Sequence, residues 1–141
     1  MGQSAYVHAG EAMSETAESD PQPMPLDAPT SPLVSIIMPI YNEEELLPIV
    51  LQAVREVPLR KELILVDDFS TDGTRAILKE EEKKPDTRVL YHEFNRGKGA
   101  AIVTGLKAAT GDIVIIQDAD MEYDPQDILK VVRPIAEGRT N

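Results

Sequence analysis

The chain has 141 residues, enough for one domain, and it is 42% apolar and 28% charged, the balance of an ordinary water-soluble globular protein. Its formal charge of −11 argues against a nucleic-acid surface and against docking of this segment on anionic lipid, both of which need basic clusters. It contains no cysteine, which excludes disulfides and thiolate metal sites, and no apolar run approaches the ~20 residues that span a bilayer.

Residues 1–33 carry Pro21, Pro23, Pro25, Pro29 and Pro32 among Ser, Thr, Ala and acids, with no hydrophobic period. This composition reads as a disordered acidic leader. With no Lys or Arg and no apolar segment of the right kind, it is not a signal peptide.

At Leu33 the composition changes. VSIIM at 34–38 is a short buried strand that Pro39 ends. Leu46, Leu47, Val50, Leu51 and Val54 then share a helix face, with Pro48 suited to its first turn. LILV at 63–66 is a second strand, followed by a helix over 72–84 that is acidic at its start, basic at its end and stopped by Pro85. A third strand spans 88–92. The helix over 97–109 presents Ile102, Val103 and Leu106 inward and ends at Gly111. IVII at 113–116 is the fourth strand. Asp124 and Pro125 supply a cap and a first helical residue for a last helix, whose Ile128, Leu129, Val131 and Val132 face inward until Pro134 disrupts it.

Four short, apolar, non-alternating strands separated by helices predict an α/β fold whose parallel sheet is covered on both faces. Ligands of such a sheet bind beyond the carboxyl ends of its strands. The residues following each strand are therefore the candidates.

After the first strand, Pro39, Tyr41 and Glu43 stand at the rim; they also fit a plain turn before a helix, where acids are favoured. After the second, Asp67 and Asp68 put two carboxylates side by side, which is costly unless something binds them. Asp68 could accept the N–H edge of a nucleobase, whereas Asp72 and Gly73 fit a turn and helix cap. After the third, Asn95-Arg96-Gly97-Lys98-Gly99 allows close backbone approach at a helix N-terminus, with Lys98 near an anion; a solvated glycine loop fits equally, and a Walker loop does not.

After the fourth strand comes Asp118-Ala119-Asp120-Met121-Glu122. Residues i, i+2 and i+4 of extended chain point one way, so three carboxylates would face one side, with Ala119 leaving room between the aspartates. Hard carboxylate oxygens suit Mg²⁺ or Mn²⁺ carrying substrate phosphates. His8 and His92 have no partner at useful spacing and read as structural or solvent-facing residues.

The segments VSIIMPIYNE (34–43), LVDDFSTDGT (65–74), NRGKGAAIVTG (95–105) and TGDIVIIQDADMEYDP (110–125), in this order and spacing, resemble glycosyltransferase family 2, the inverting enzymes of GT-A fold. Within it they are most similar to the dolichyl- and polyprenyl-phosphate mannosyl- or glucosyltransferases. The resemblance covers about residues 33–138. It implies a sheet of order 3-2-1-4, counting the four predicted strands, with Glu43 and Asp118 facing each other at the switch point.

The same resemblance implies roles by position. Pro39, Tyr41 and Glu43 hold the nucleoside. Val66 and Asp68 form a second nucleoside contact, with Asp68 on the base. Asp118, Ala119 and Asp120 are the DxD motif near ribose, diphosphate and metal, with Mg²⁺ or Mn²⁺ as cofactor. Glu122 stands where related synthases carry a Gln that touches the metal, and Lys98 neighbours the diphosphate.

The implied reaction moves a hexose from a UDP-glucose or GDP-mannose type donor to a polyprenyl or dolichyl phosphate, or else to a glycan. The implied location is the cytoplasm, at the membrane's cytoplasmic face for a full-length protein. Residues 34–141 are then the donor- and metal-binding part of a domain whose catalytic acceptor-side residues lie beyond Asn141. A catalytically inactive nucleotide-binding module is the alternative.

Overall fold

A computed structural model describes residues 5–8, 24–120 and 124–138. In chain order the elements are β1 (Ala5–His8), β2 (Val34–Ile40), α1 (Leu47–Glu56), β3 (Lys61–Asp67), α2 (Thr74–Glu81), β4 (Thr87–Tyr91), α3 (Lys98–Ala108) and β5 (Ile113–Ile116). A short 3₁₀ turn, Pro125–Asp127, then leads into α4 (Ile128–Ala136). The strands form one sheet of order β1-β5-β2-β3-β4, parallel throughout.

Without β1 this is the 3-2-1-4 order expected of the four strands. β1 is a correction to the disordered leader: Ala5–His8 pairs in parallel with Ile113–Ile116 and covers the edge that β5 would otherwise expose. The end of the leader is ordered as well. Leu26 is buried in the main core, its carbonyl accepts from Arg60 N–H at 2.7 Å, and Ser31 Oγ donates to Pro25 O at 2.8 Å. Pro25, Pro29 and Pro32 do lie in irregular backbone, but irregular backbone is not the same as loose chain.

The strands are apolar on both faces because helices cover both. Ile36, Met38, Ile40, Leu63, Leu65 and Ile115 pack with Leu47, Val50, Leu51 and Val54 of α1, Leu78 of α2, and Ile128, Val131 and Val132 of α4. On the other face Ile37, Ile64, Val66, Val114 and Ile116 pack with Ala101 of α3. The division follows from handedness: β2, β3 and β4 advance in one direction across the sheet, and the chain then returns to place β5 beside β2. A right-handed crossover on the return must lie on the opposite face.

Three local expectations change. The β2 strand runs through Pro39 to Ile40. Gln117 N–H donates to Ile37 O and Asp68 N–H to Ile40 O, each at 2.9 Å, so odd positions of β2 turn toward β5. β5 has ended by the level of Pro39, and the donor that proline lacks is not needed there.

Helix α3 buries Ala101 and Gly105, while Val103 and Leu106 are exposed. A Cβ on Gly105 would stand 2.5 Å from Ile37 Cγ2, so only a small-residue stripe lets this helix approach the sheet. Pro134 lies inside α4, which continues to Ala136. Ahead of that helix Asp124 caps the 3₁₀ turn, accepting from Gln126 N–H, while the N-cap of α4 itself, Asp127, makes no side-chain cap bond.

Candidate functional site

The carboxyl ends of β2, β3 and β5 and the start of α3 surround a cleft of about 340 Å³. Its walls carry Pro39, Tyr41, Glu43, Asp68, Lys98, Asp118, Ala119 and Asp120, eight residues singled out from the sequence, together with Ile40, Asn95, Gly97 and Ala101. The cleft sits where the sheet order reverses, between β2 and β5, as the general rule for open parallel sheets requires. Val66 does not line it: that side chain is fully buried beneath α3. Glu122 lies outside the described residues, so the expected triple carboxylate is seen only as Asp118 and Asp120. Among the described residues no group of three or more His, Asp or Glu is placed to hold a metal ion.

Glu43 is fixed by a seam between the loops after β2 and β3. Asn42 adopts positive φ (50°), and its Oδ1 accepts from Thr71 N–H at 2.8 Å and Asp72 N–H at 3.3 Å. Asn42 N–H donates to Ser70 Oγ and Glu43 N–H to Thr74 Oγ1, both at 2.9 Å. Asp72 plays the turn role expected of it, accepting from Thr74 N–H at 2.9 Å. The seam holds Glu43 close enough to Asp120 for like charge to matter. Burial first, then Asp120 and Asp72, push the Glu43 carboxyl above the usual carboxylate range.

The adjacent carboxylates at the carboxyl end of β3, Asp67 within it and Asp68 just after, have diverging partners. Asp67 is fully buried; its Oδ2 accepts from Arg75 Nε at 2.7 Å and from Ser70 N–H at 3.1 Å. Arg75 in turn donates to His92 O at 2.9 Å and rests between the rings of Phe69 and Tyr91. Asp68 Oδ1 accepts from Arg96 N–H and meets His92 Nδ1, and its Oδ2 accepts from Gly97 N–H, all at 2.8 Å. Burial opposes the charge on Asp68, but these bonds outweigh it and hold the carboxyl below its ordinary value. The cost of two neighbouring charges is thus met largely inside the protein.

His92 is a residue that sequence spacing missed. It is buried, with Nδ1 on Asp68 and Nε2 2.8 Å from Thr104 Oγ1 of α3. Its partners lie 24 and 12 residues away, so no local pattern could announce them. Lys98 opens α3 behind Gly97, whose φ of 96° suits glycine, and its Nζ lies 2.6 Å from Asp118 Oδ1. A cation, a helix N-terminus and the carboxylates of Asp118 and Asp120 therefore meet in one cleft.

Comparison with known proteins agrees with this geometry. Residues 35–141 match the family described as Glycosyl transferase family 2. The undecaprenyl-phosphate 4-deoxy-4-formamido-L-arabinose transferase of Pectobacterium carotovorum subsp. carotovorum (strain PC1) is 38% identical over 111 residues, 74% of this chain and 34% of that protein. The protein of the same name from Proteus mirabilis (strain HI4320) is 39% identical over the same shares. The chain spans about a third of the length of these curated relatives.

Among solved structures, the Pyrobaculum calidifontis mannosyltransferase PcManGT in complex with GDP-Man and Mn²⁺ superposes with a TM-score of 0.65 at 33% identity, over 84% of this chain and 35% of that one. S. aureus TarS 1-349 in complex with UDP-GlcNAc gives a TM-score of 0.65 at 29% identity, over 74% of this chain and 31% of that one. The fold is GT-A. Since the match takes in β2 through α4 and every strand end that builds the cleft, the chain belongs to glycosyl transferase family 2.

Proposed function

We propose that this chain is the donor-binding part of an inverting glycosyltransferase that moves a sugar from a nucleotide-sugar to a polyprenyl or dolichyl phosphate. One observation carries the reading: Glu43, Asp118 and Asp120 converge with Lys98 and the N-terminus of α3 on a single cleft at the switch point. Carboxylates crowded beside a cation and a helix N-terminus suit a diphosphate accompanied by a divalent ion.

In this reading Tyr41, half exposed at the rim, meets the nucleoside, while Pro39 and Ala119 shape the walls. The amides at the start of α3 and the Lys98 ammonium face the diphosphate. Asp118 and Asp120 would hold Mg²⁺ or Mn²⁺, and Glu122 adds a third oxygen donor in sequence. The donor set fits such an ion, because like charge already weighs on Glu43 and an ammonium already sits on Asp118. An ion held there would supply positive charge to offset the negative charge of a departing diphosphate.

A lipid phosphate is anionic near neutral pH and needs no general base, whereas a glycan hydroxyl would need a carboxylate to take its proton. The arabinose-type relatives are named for undecaprenyl phosphate, which supports the lipid-phosphate acceptor. They also widen the donor beyond the expected hexose, because their sugar is an arabinose derivative, while PcManGT was solved with GDP-Man. The reading therefore commits to a nucleotide-sugar without fixing the sugar. Among the described residues no helix is long and apolar enough to cross a membrane; we place the domain at the cytoplasmic face, where a lipid-linked phosphate is reached from water.

Calorimetric titration with UDP, GDP and dTDP, with and without Mn²⁺, tests the reading. Binding of at least one diphosphate that requires the metal is expected. Failure of all three to bind in a metal-dependent way overturns it. Metal-dependent binding without sugar transfer by a full-length protein favours the inactive module instead.

A further inference from the structure

We propose that Arg75 is a positioning residue for the nucleotide cleft, holding the turn Asp68-Phe69-Ser70 from behind so that the loops after β2 and β3 stay joined. The inference rests on the nucleotide reading above and adds a residue to it. Neither Arg75 nor Phe69 lines the cleft.

The turn needs holding. Phe69 sits at a φ of 68°. That left-handed region suits glycine, and a bulky residue stays in it only where its surroundings impose it. Here Asp68 N–H donates to Ile40 O at 2.9 Å on one side of Phe69, and Ser70 N–H donates to Asp67 Oδ2 at 3.1 Å on the other. The Phe69 ring lies against Arg75, whose Cζ is 5.4 Å from its centroid.

Arg75 secures the anchor of this turn. Asp67 is fully buried, and the same Oδ2 that takes Ser70 N–H takes Arg75 Nε at 2.7 Å. Among the described residues Asp67 Oδ1 has no hydrogen-bond partner, so the carboxylate depends on Arg75 for its countercharge. The guanidinium is itself fixed by its bond to His92 O at 2.9 Å and by the Tyr91 ring at 5.3 Å. Lysine has no planar fork to make both bonds and the stack together.

Both neighbours of Phe69 lead into the cleft. Asp68 lines it. Ser70 Oγ accepts from Asn42 N–H at 2.9 Å, and the residues on either side of Asn42, Tyr41 and Glu43, line it as well. A turn released from Arg75 therefore shifts two walls that a nucleotide would touch, while Arg75 itself stays outside.

The test uses the whole chain with Mn²⁺ and the probes UDP, GDP and dTDP, read by calorimetry on variants whose circular dichroism shows them folded. Arg75→Met keeps a long side chain and removes the charge; it is expected to weaken every diphosphate that binds the wild type by roughly tenfold. Arg75→Lys is expected to recover only part of the loss. Adding Phe69→Gly to Arg75→Met is expected to restore most of the affinity, because glycine takes the turn unaided. Loss of a countercharge alone would not be repaired by removing a ring. Amide exchange at Ser70 and Asn42 is expected to speed up in Arg75→Met and to slow again when Phe69→Gly is added.

Should Arg75→Met fail to fold, Asp67→Asn combined with Arg75→Met, which leaves no charge at position 67, takes its place with the same expectation. Wild-type affinity in either folded variant, or no recovery on adding Phe69→Gly, overturns the role of Arg75 and leaves the nucleotide reading standing. If no diphosphate binds the wild type, the nucleotide reading falls first and this inference with it.

Discussion

Lys98 Nζ lies 2.6 Å from Asp118 Oδ1, joining the first residue of α3 to the loop after β5 across the mouth of the cleft. The lysine is 59% exposed and the aspartate 7%, so the pair is half in water and worth little as a stabiliser. Its consequence is for binding: an ammonium occupies a carboxylate oxygen that a metal ion would use. Lys98→Met should therefore tighten binding of Mn²⁺ alone, by up to about fivefold, and weaken binding of a nucleoside diphosphate. Paramagnetic titration of Mn²⁺ and calorimetry of UDP or GDP would read the two opposite changes.

Asp120 and Glu43 carry the complementary experiment. Asp120→Ala should abolish metal-dependent nucleotide binding. Glu43→Gln should also weaken binding, yet melt above the wild type when no ligand is present, because it removes a charge that burial and Asp120 both disfavour. Thermal melts with and without nucleotide and Mn²⁺ measure both effects; a lower melting temperature for ligand-free Glu43→Gln would contradict the account of this carboxylate.

Acid unfolding reports on Asp68. Its folded-state pKa is held below the unfolded value, so its ionised form favours the fold. That stability is fully present above the unfolded pKa of about 3.9 and is lost as pH falls through the lower folded value. Urea unfolding from pH 6 to pH 2 should show wild-type stability dropping below about pH 4, with a shallower drop in Asp68→Asn.

The turn before α2 has a separable role. Asp72→Ala removes the acceptor of Thr74 N–H and should cost about 1 kcal/mol of stability, while lifting one of the like charges that weigh on Glu43. The midpoint of urea unfolding measures it.

Packing beneath α3 is tested at Gly105. Alanine is the better helix former by about 1 kcal/mol, yet Gly105→Ala should destabilise the protein by roughly 1–3 kcal/mol, because its Cβ would press on Ile37. In an Ile37→Ala background, itself less stable, the added cost of Gly105→Ala should be smaller, which a double-mutant cycle would show.

Strand runs such as Ile113–Ile116 were legible from residues alone, because an apolar stretch too short for a helix and bounded by polar turns has few ways to be buried. The loops at their carboxyl ends were legible too, as parallel strands bring those ends to one rim; this is why Glu43, Lys98 and Asp120, far apart in sequence, were expected together. The inward face of α3 was misjudged, because periodicity ranks Val103 and Leu106 above Gly105 and cannot know how near the sheet stands.

β1 escaped notice for a related reason: four residues on a sheet edge need no strong local signal when a partner strand supplies the pairing. The partners of Asp67 and Asp68 were decided only by the fold. Sequence shows that two adjacent charges must be compensated, but it was the approach of Arg75, His92 and the amides of Arg96 and Gly97 in three dimensions that determined which groups compensate them.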